Sequence, residues 1–103
     1  MFDDIINALG PNGMHFPTLG GRSSFFAMPL GNPARIKITS ATGYNYIIND
    51  HFFDQVCERY NQLNDHLKTR AGQYVGPNWP ECPGNQQSPY VAALIHYRLQ
   101  GDY

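Results

Sequence analysis

Apolar positions along the chain follow two periods, and the changes of period mark the elements. Phe2, Ile5, Ile6 and Leu9 recur at helical spacing over residues 2–9. Asp3 and Asp4 fall in the first turn, where the positive end of a helix dipole favours carboxylates. Gly10-Pro11 ends this helix, because Gly accepts the left-handed cap and Pro disfavours helix in the residue before it. Residues 10–22 hold four Gly and two Pro and read as loop. Period two follows. Ser24 to Met28 is a Phe-rich strand, and Pro29-Leu30-Gly31-Asn32-Pro33 is a turn cluster. Ile36 and Ile38 then alternate with Arg35, Lys37 and Thr39, which predicts a half-buried strand with a basic outer face. After a turn at Ala41-Thr42-Gly43, Tyr44, Tyr46 and Ile48 share one face of a third strand and Asn45 and Ile47 the other.

Helical spacing returns at Asn49, a good N-cap. Phe52, Phe53, Val56, Cys57, Tyr60, Leu63 and Leu67 form one stripe, opposite Asp54, Glu58, Asn61 and Asp65, so a long helix is expected over 50–70 with Gly72 as its stop. Residues 73–88 are too rich in Pro and Gly for a helix or a central strand, and Trp79 is the expected anchor of that loop. Ser88-Pro89 opens a last helix with Val91, Leu94, Ile95 and Leu99 inward and Gly101 at its end. The expected fold is one α+β domain over residues 1–103. A three-stranded antiparallel meander is packed by one long helix, and the short N- and C-terminal helices sit at its ends.

Composition narrows the function classes. Charged residues are 15% of the chain, against about 25% in an average soluble domain, and Asn and Gln supply the polar balance. The net charge of −1 removes the long-range basic field of a typical duplex-DNA binder. No apolar run reaches the roughly 18 residues of a membrane span, and Met1-Phe2-Asp3-Asp4 is acidic where a signal peptide is basic, so a cytoplasmic protein with no membrane partner is expected. Two Cys are too few for a disulfide scaffold, and Cys57 and Cys82 are expected to be free thiols.

Candidate chemistry is thin. His15, His51, Cys57, His66, Cys82 and His96 show no ligand-pair spacing, so neither a metal nor another cofactor is implied. His51 and Asp54 are three apart on a helix, but no nucleophile or third group can be named beside them, and no catalytic residue is assigned. Gly20-Gly21-Arg22-Ser23-Ser24 can present N–H groups to an anion, yet it lacks the Gly-Lys-Ser/Thr ending of a nucleotide loop and precedes a strand. Tyr74, Trp79, Tyr90, Tyr97 and Tyr103, set among Asn78, Asn85, Gln86 and Gln87, have the composition of a surface for a small molecule or protein partner, and Tyr44, Tyr46, Trp79, Tyr90 and Tyr97 are the residues expected to carry it. The alternative is single-stranded nucleic acid on the Arg35/Lys37 face, flanked by aromatics of neighbouring strands. The same two cations also serve simply to keep a sheet face soluble and to blunt pairing at an edge.

The stretch Gly76-Pro77-Asn78-Trp79-Pro80 through Ser88-Pro89-Tyr90-Val91-Ala92-Ala93-Leu94-Ile95 resembles small orphan proteins of bacterial mobile elements, the integron gene-cassette products. The resemblance implies a bacterial protein of a group that often self-associates, and it carries no residue role. Seven Tyr, six Phe and one Trp also exceed what one small core requires, so a homo-oligomer, most simply a two-fold dimer, is expected from composition.

Overall fold

The computed structural model describes all 103 residues and has α+β architecture. Its helices are α1 (Phe2–Leu9), α2 (Asp50–Gln62) and α3 (Ser88–Leu99), and its strands β1 (Met14–Pro17), β2 (Ser24–Leu30), β3 (Arg35–Ser40) and β4 (Asn45–Ile48). The strands form one antiparallel meander in the order β1-β2-β3-β4. The expected meander therefore has a fourth strand, drawn from the segment that composition assigned to loop. Met14 and Phe16 alternate inward there, but four residues are too few to show a period. Pro17 is tolerated because β1 is an edge strand.

Register separates the two faces of the sheet. Phe16, Phe25, Ala27, Ile36, Ile38 and Ile48 are buried on one face, in the same core as Phe2, Ile5, Phe53, Val56, Tyr60 and Val91–Ile95 of the helices. All three helices thus share one side of the sheet, and the terminal ones do not sit at its ends. Pro29 lies inside β2 opposite Ile36, where β1 has already ended at Met14, so its missing N–H breaks no ladder bond. No helix is long and apolar enough to cross a membrane.

Asn49 caps α2, its Oδ1 accepting from the Phe52 N–H at 2.8 Å. The helix stops at Gln62, well short of Gly72: Leu63 is extended, and Lys68 Nζ donates to the Leu63 carbonyl at 2.6 Å. Leu67 continues the apolar stripe through a 3₁₀ turn, Asp65–Leu67. Asn61, Asn64 and Asp65 crowd this end, and their short polar side chains compete with helical backbone bonds. Leu99, expected inward, is 54% exposed.

The long segment after α2 is stitched by amides and one guanidinium. Arg59 donates to the carbonyls of Gln73 (2.9 Å) and Asn78 (3.1 Å), and lies over the Trp79 ring. Asn78 Nδ2 donates to the Gly72 carbonyl, and Asn85 Oδ1 accepts from the Gly76 N–H. Trp79 is buried beneath them. Trp79→Ala is expected to cost about 3–5 kcal/mol, the range for deleting a buried large aromatic. A denaturant midpoint lowered by that amount at constant slope is the expected reading, and a loss below about 1 kcal/mol would place the ring outside the core.

Candidate functional site

The face of the sheet turned away from the helices is uncovered. Register places His15, Phe26, Thr39 and Asn45 in one row across it, Met28, Lys37 and Ile47 in the next, and Leu30 with Arg35 beyond them. Phe26 packs against His15 with ring centroids 4.8 Å apart. Gly13 is what lets that ring lie down. Its φ is +72°, and a Cβ there would stand 2.7 Å from Phe26 Cζ and 2.6 Å from the Ala27 carbonyl oxygen. Arg35 and Lys37 make no ion pair, and Arg35 Nε donates only to the nearby Pro33 carbonyl at 3.2 Å. At the end of the first row, His15, Phe26 and Thr39 join Ser24 and Ala41 around a hollow of about 210 Å³.

Charge is segregated along the chain. No Asp or Glu occurs from Ile5 to Asn49, a segment that carries Arg22, Arg35 and Lys37. All eight carboxylate side chains belong to the first four residues or to the helical half that follows. Asp3, Asp50 and Asp54 line a notch of about 240 Å³ where α1 meets α2. The net charge of −1 is therefore the sum of a basic sheet and an acidic helical side. The acid-free stretch is visible in the sequence, but a whole-chain average hides it.

The aromatic residues expected to form a recognition surface are mostly committed to packing. Trp79 is buried. Tyr97 stacks on Phe16 and donates from its hydroxyl to the Thr18 carbonyl at 3.1 Å. Tyr90 meets Phe25 edge-on and stacks at 5.9 Å with Tyr46, whose hydroxyl reaches Gln86 Oε1 at 3.5 Å. Of the five, only Tyr46 and Tyr90 come together. Tyr90 and Gln86 help to line a cleft of about 320 Å³, with Leu19, Arg22, Ala71 and Pro89. Tyr44 stands apart at the β3–β4 turn, and among the seven Tyr, six Phe and one Trp it alone is exposed. The surplus of aromatics that suggested an oligomer is thus absorbed within one chain.

The other candidates gain little. His51 and Asp54 are both exposed and share no hydrogen bond. No three His, Cys, Asp or Glu side chains converge on a point where a metal ion could sit. The Gly20–Ser24 segment lies in the β1–β2 turn, where the Gly21 and Thr18 N–H groups are already spent on Thr18 and Ser23 carbonyls. Cys57 and Cys82 are free thiols, and burial raises the Cys57 thiol above its usual range, away from the thiolate. Neither a protein-family model, nor a curated protein, nor a solved structure matches the chain, so no relative supports the integron-cassette resemblance or assigns a function.

Packing of the phenols has a measurable consequence. Burial raises the Tyr60, Tyr74, Tyr90, Tyr97 and Tyr103 hydroxyls above the ordinary phenol value of 10.0. Tyr74 and Tyr103 are raised furthest. Their hydroxyls donate at 2.6 Å to the Lys68 and Leu94 carbonyls, bonds that a phenolate cannot make. A group bound more tightly to its proton in the folded state stabilises the fold fully below its unfolded pKa and loses that contribution as pH rises through the folded value. Stability is therefore expected to hold up to about pH 10 and to fall steeply above it. Denaturant midpoints measured from pH 8 to 12 check this, and Tyr74→Phe and Tyr103→Phe should each flatten the fall.

Proposed function

We propose that the protein is a binding module that holds single-stranded nucleic acid on the open face of its sheet. The observation that carries this reading is the coincidence, on one uncovered and acid-free face, of two unpaired cations with an aromatic pair. Arg35 and Lys37 stand one and two strands from Phe26 and His15. Phosphates suit the cations, and bases suit the ring faces. Thr39 and Asn45, in the aromatic row, bring a hydroxyl and an amide that can meet base edges. They already bond each other, Thr39 Oγ1 donating to Asn45 Oδ1 at 2.8 Å, which leaves the Asn45 NH₂ free to donate. An open sheet suits single strands, whose unstacked bases lie flat on aromatic side chains, better than a duplex with its bases turned inward.

Two cations make a weak site with a shallow salt dependence. Each phosphate neutralised on a single strand contributes about 0.7 to the slope of log K against log salt, so Arg35 and Lys37 together should give about 1.4. Fluorescence anisotropy with short single-stranded DNA and RNA oligonucleotides measures it, with inorganic polyphosphate as a base-free competitor. The expected result is binding abolished in R35A/K37A and weakened by about 1–3 kcal/mol in Phe26→Ala, the usual value of one base–aromatic stack. Far-UV circular dichroism confirms that the variants stay folded. Affinity that is unchanged in R35A/K37A, or matched by polyphosphate at equal charge, would sink the reading.

A further inference from the structure

We infer that the free edge of β4 is a self-association surface, pairing antiparallel with β4 of a second copy of this chain. The sheet has two edges, and they are treated differently. β1 ends in Pro17, which removes a main-chain donor from that edge, and it is followed at once by the tightly bonded Thr18–Ser23 turn. β4 has no such guard. Its sequence Asn45-Tyr46-Ile47-Ile48 contains no proline and no charge, and the uncharged stretch runs from Ile38 to Asn49. No main-chain hydrogen bond joins residues 45–48 to anything beyond the ladder with β3. The donors and acceptors on the far side of the strand are therefore unpaired within the chain. The two cations that would ordinarily discourage edge pairing lie on β3, an interior strand, and leave the edge itself neutral.

Exposed apolar side chains also flank this strand, one on each face of the sheet. Only four large hydrophobic residues are exposed in the whole chain, and two of them are here: Ile47 at 49% on β4, and Tyr44 at 68% just before it. A second copy is the occupant the edge itself specifies. A neutral strand edge is complementary to itself, and antiparallel pairing of identical strands generates a closed two-fold contact that leaves no further β4 edge free. A two-fold axis perpendicular to the sheet keeps the helices of both copies on one side and Ile47 of both on the other. The result is a continuous eight-stranded sheet whose open face carries two copies of Arg35 and Lys37. The two Lys37 residues would then stand three strand spacings apart, roughly 14 Å, beyond the screening length at physiological salt, so their repulsion is slight. Such a short strand adds only about four main-chain bonds, which places the contact among weak, reversible interfaces.

The inference does not rest on the nucleic-acid reading, and it is tested without nucleic acid, so either can fail alone. Sedimentation equilibrium across micromolar concentrations should show the apparent mass rising from 11.6 kDa towards twice that value. Ile47→Lys puts a charge on the exposed side of the edge and should hold the protein at 11.6 kDa. Leu99→Lys, an equally exposed change on α3, should leave the rise intact. Amide hydrogen exchange of β4 should slow as concentration rises, while that of β1 does not. A single 11.6 kDa species at every concentration overturns the inference. So does a dimer that survives Ile47→Lys with its β4 amides unprotected.

Discussion

The burial of Val91–Ile95 is the constraint on which the rest of the molecule depends. Five consecutive residues of α3 have no exposed surface, so this helix must be surrounded and not merely laid on a support. Ala92 and Ala93 allow neighbours to approach closely, and β1, α1, α2 and the 3₁₀ turn Ala71–Tyr74 all close on it. A chain of this length can enclose one helix in that way only by committing every other helical element to the same side of the sheet. The opposite face is then bare by necessity. The unoccupied face is thus a by-product of how the core is filled, which makes its chemistry informative: what stands there was not placed by packing against the helices.

The amide-rich second half of the chain shows the converse. Asn78 and Asn85 resemble the polar lining of a recognition surface when read as composition, but Asn78 Nδ2 and Asn85 Oδ1 are bonded to loop backbone, as Gln73 Oε1 is to Arg59. A long segment without regular structure leaves many main-chain groups that no ladder or helix satisfies. Neutral amides meet that demand on both the donor and acceptor sides, and at less desolvation cost than charges. The C-terminal residues are fastened differently, by charge, with Arg98 forked onto Asp4 at 2.8 and 2.9 Å and lying over the Tyr103 ring.

What was legible in the sequence depended on whether a local signal outweighed its context. The N-cap at Asn49, the alternation of Arg35–Thr39 and the start of the Ser88–Leu99 helix were readable because each rests on a short pattern that tertiary contacts did not override. The length of α2 was not. The i, i+4 spacing of Leu63 and Leu67 survives a change from α to 3₁₀ geometry, so periodicity alone cannot register the break. β1 was missed because a four-residue edge strand has too few positions to alternate and is held by pairing with β2. That omission also hid the place of His15 on the open face of the sheet. Phe25-Phe26 shows that one ring faces each way, but only register tells which is outward. Arg35 and Lys37 were visible as a basic face, whereas the identity of their aromatic neighbours required the sheet.

The separation of charge leaves three cations and no carboxylate on residues 5–49, and four cations against eight carboxylates on the rest, beneath a net charge of only −1. A polyanion approaching the helical side meets Asp3, Asp50 and Asp54, and within a Debye length it is turned away. One approaching the sheet is drawn in. For the single-stranded nucleic acid proposed as ligand, encounters would thereby be sorted by orientation before any contact forms, and a larger share of collisions would begin with the molecule already facing the right way. Torque, more than attraction, is what so nearly neutral a protein gains by keeping its carboxylates off one face.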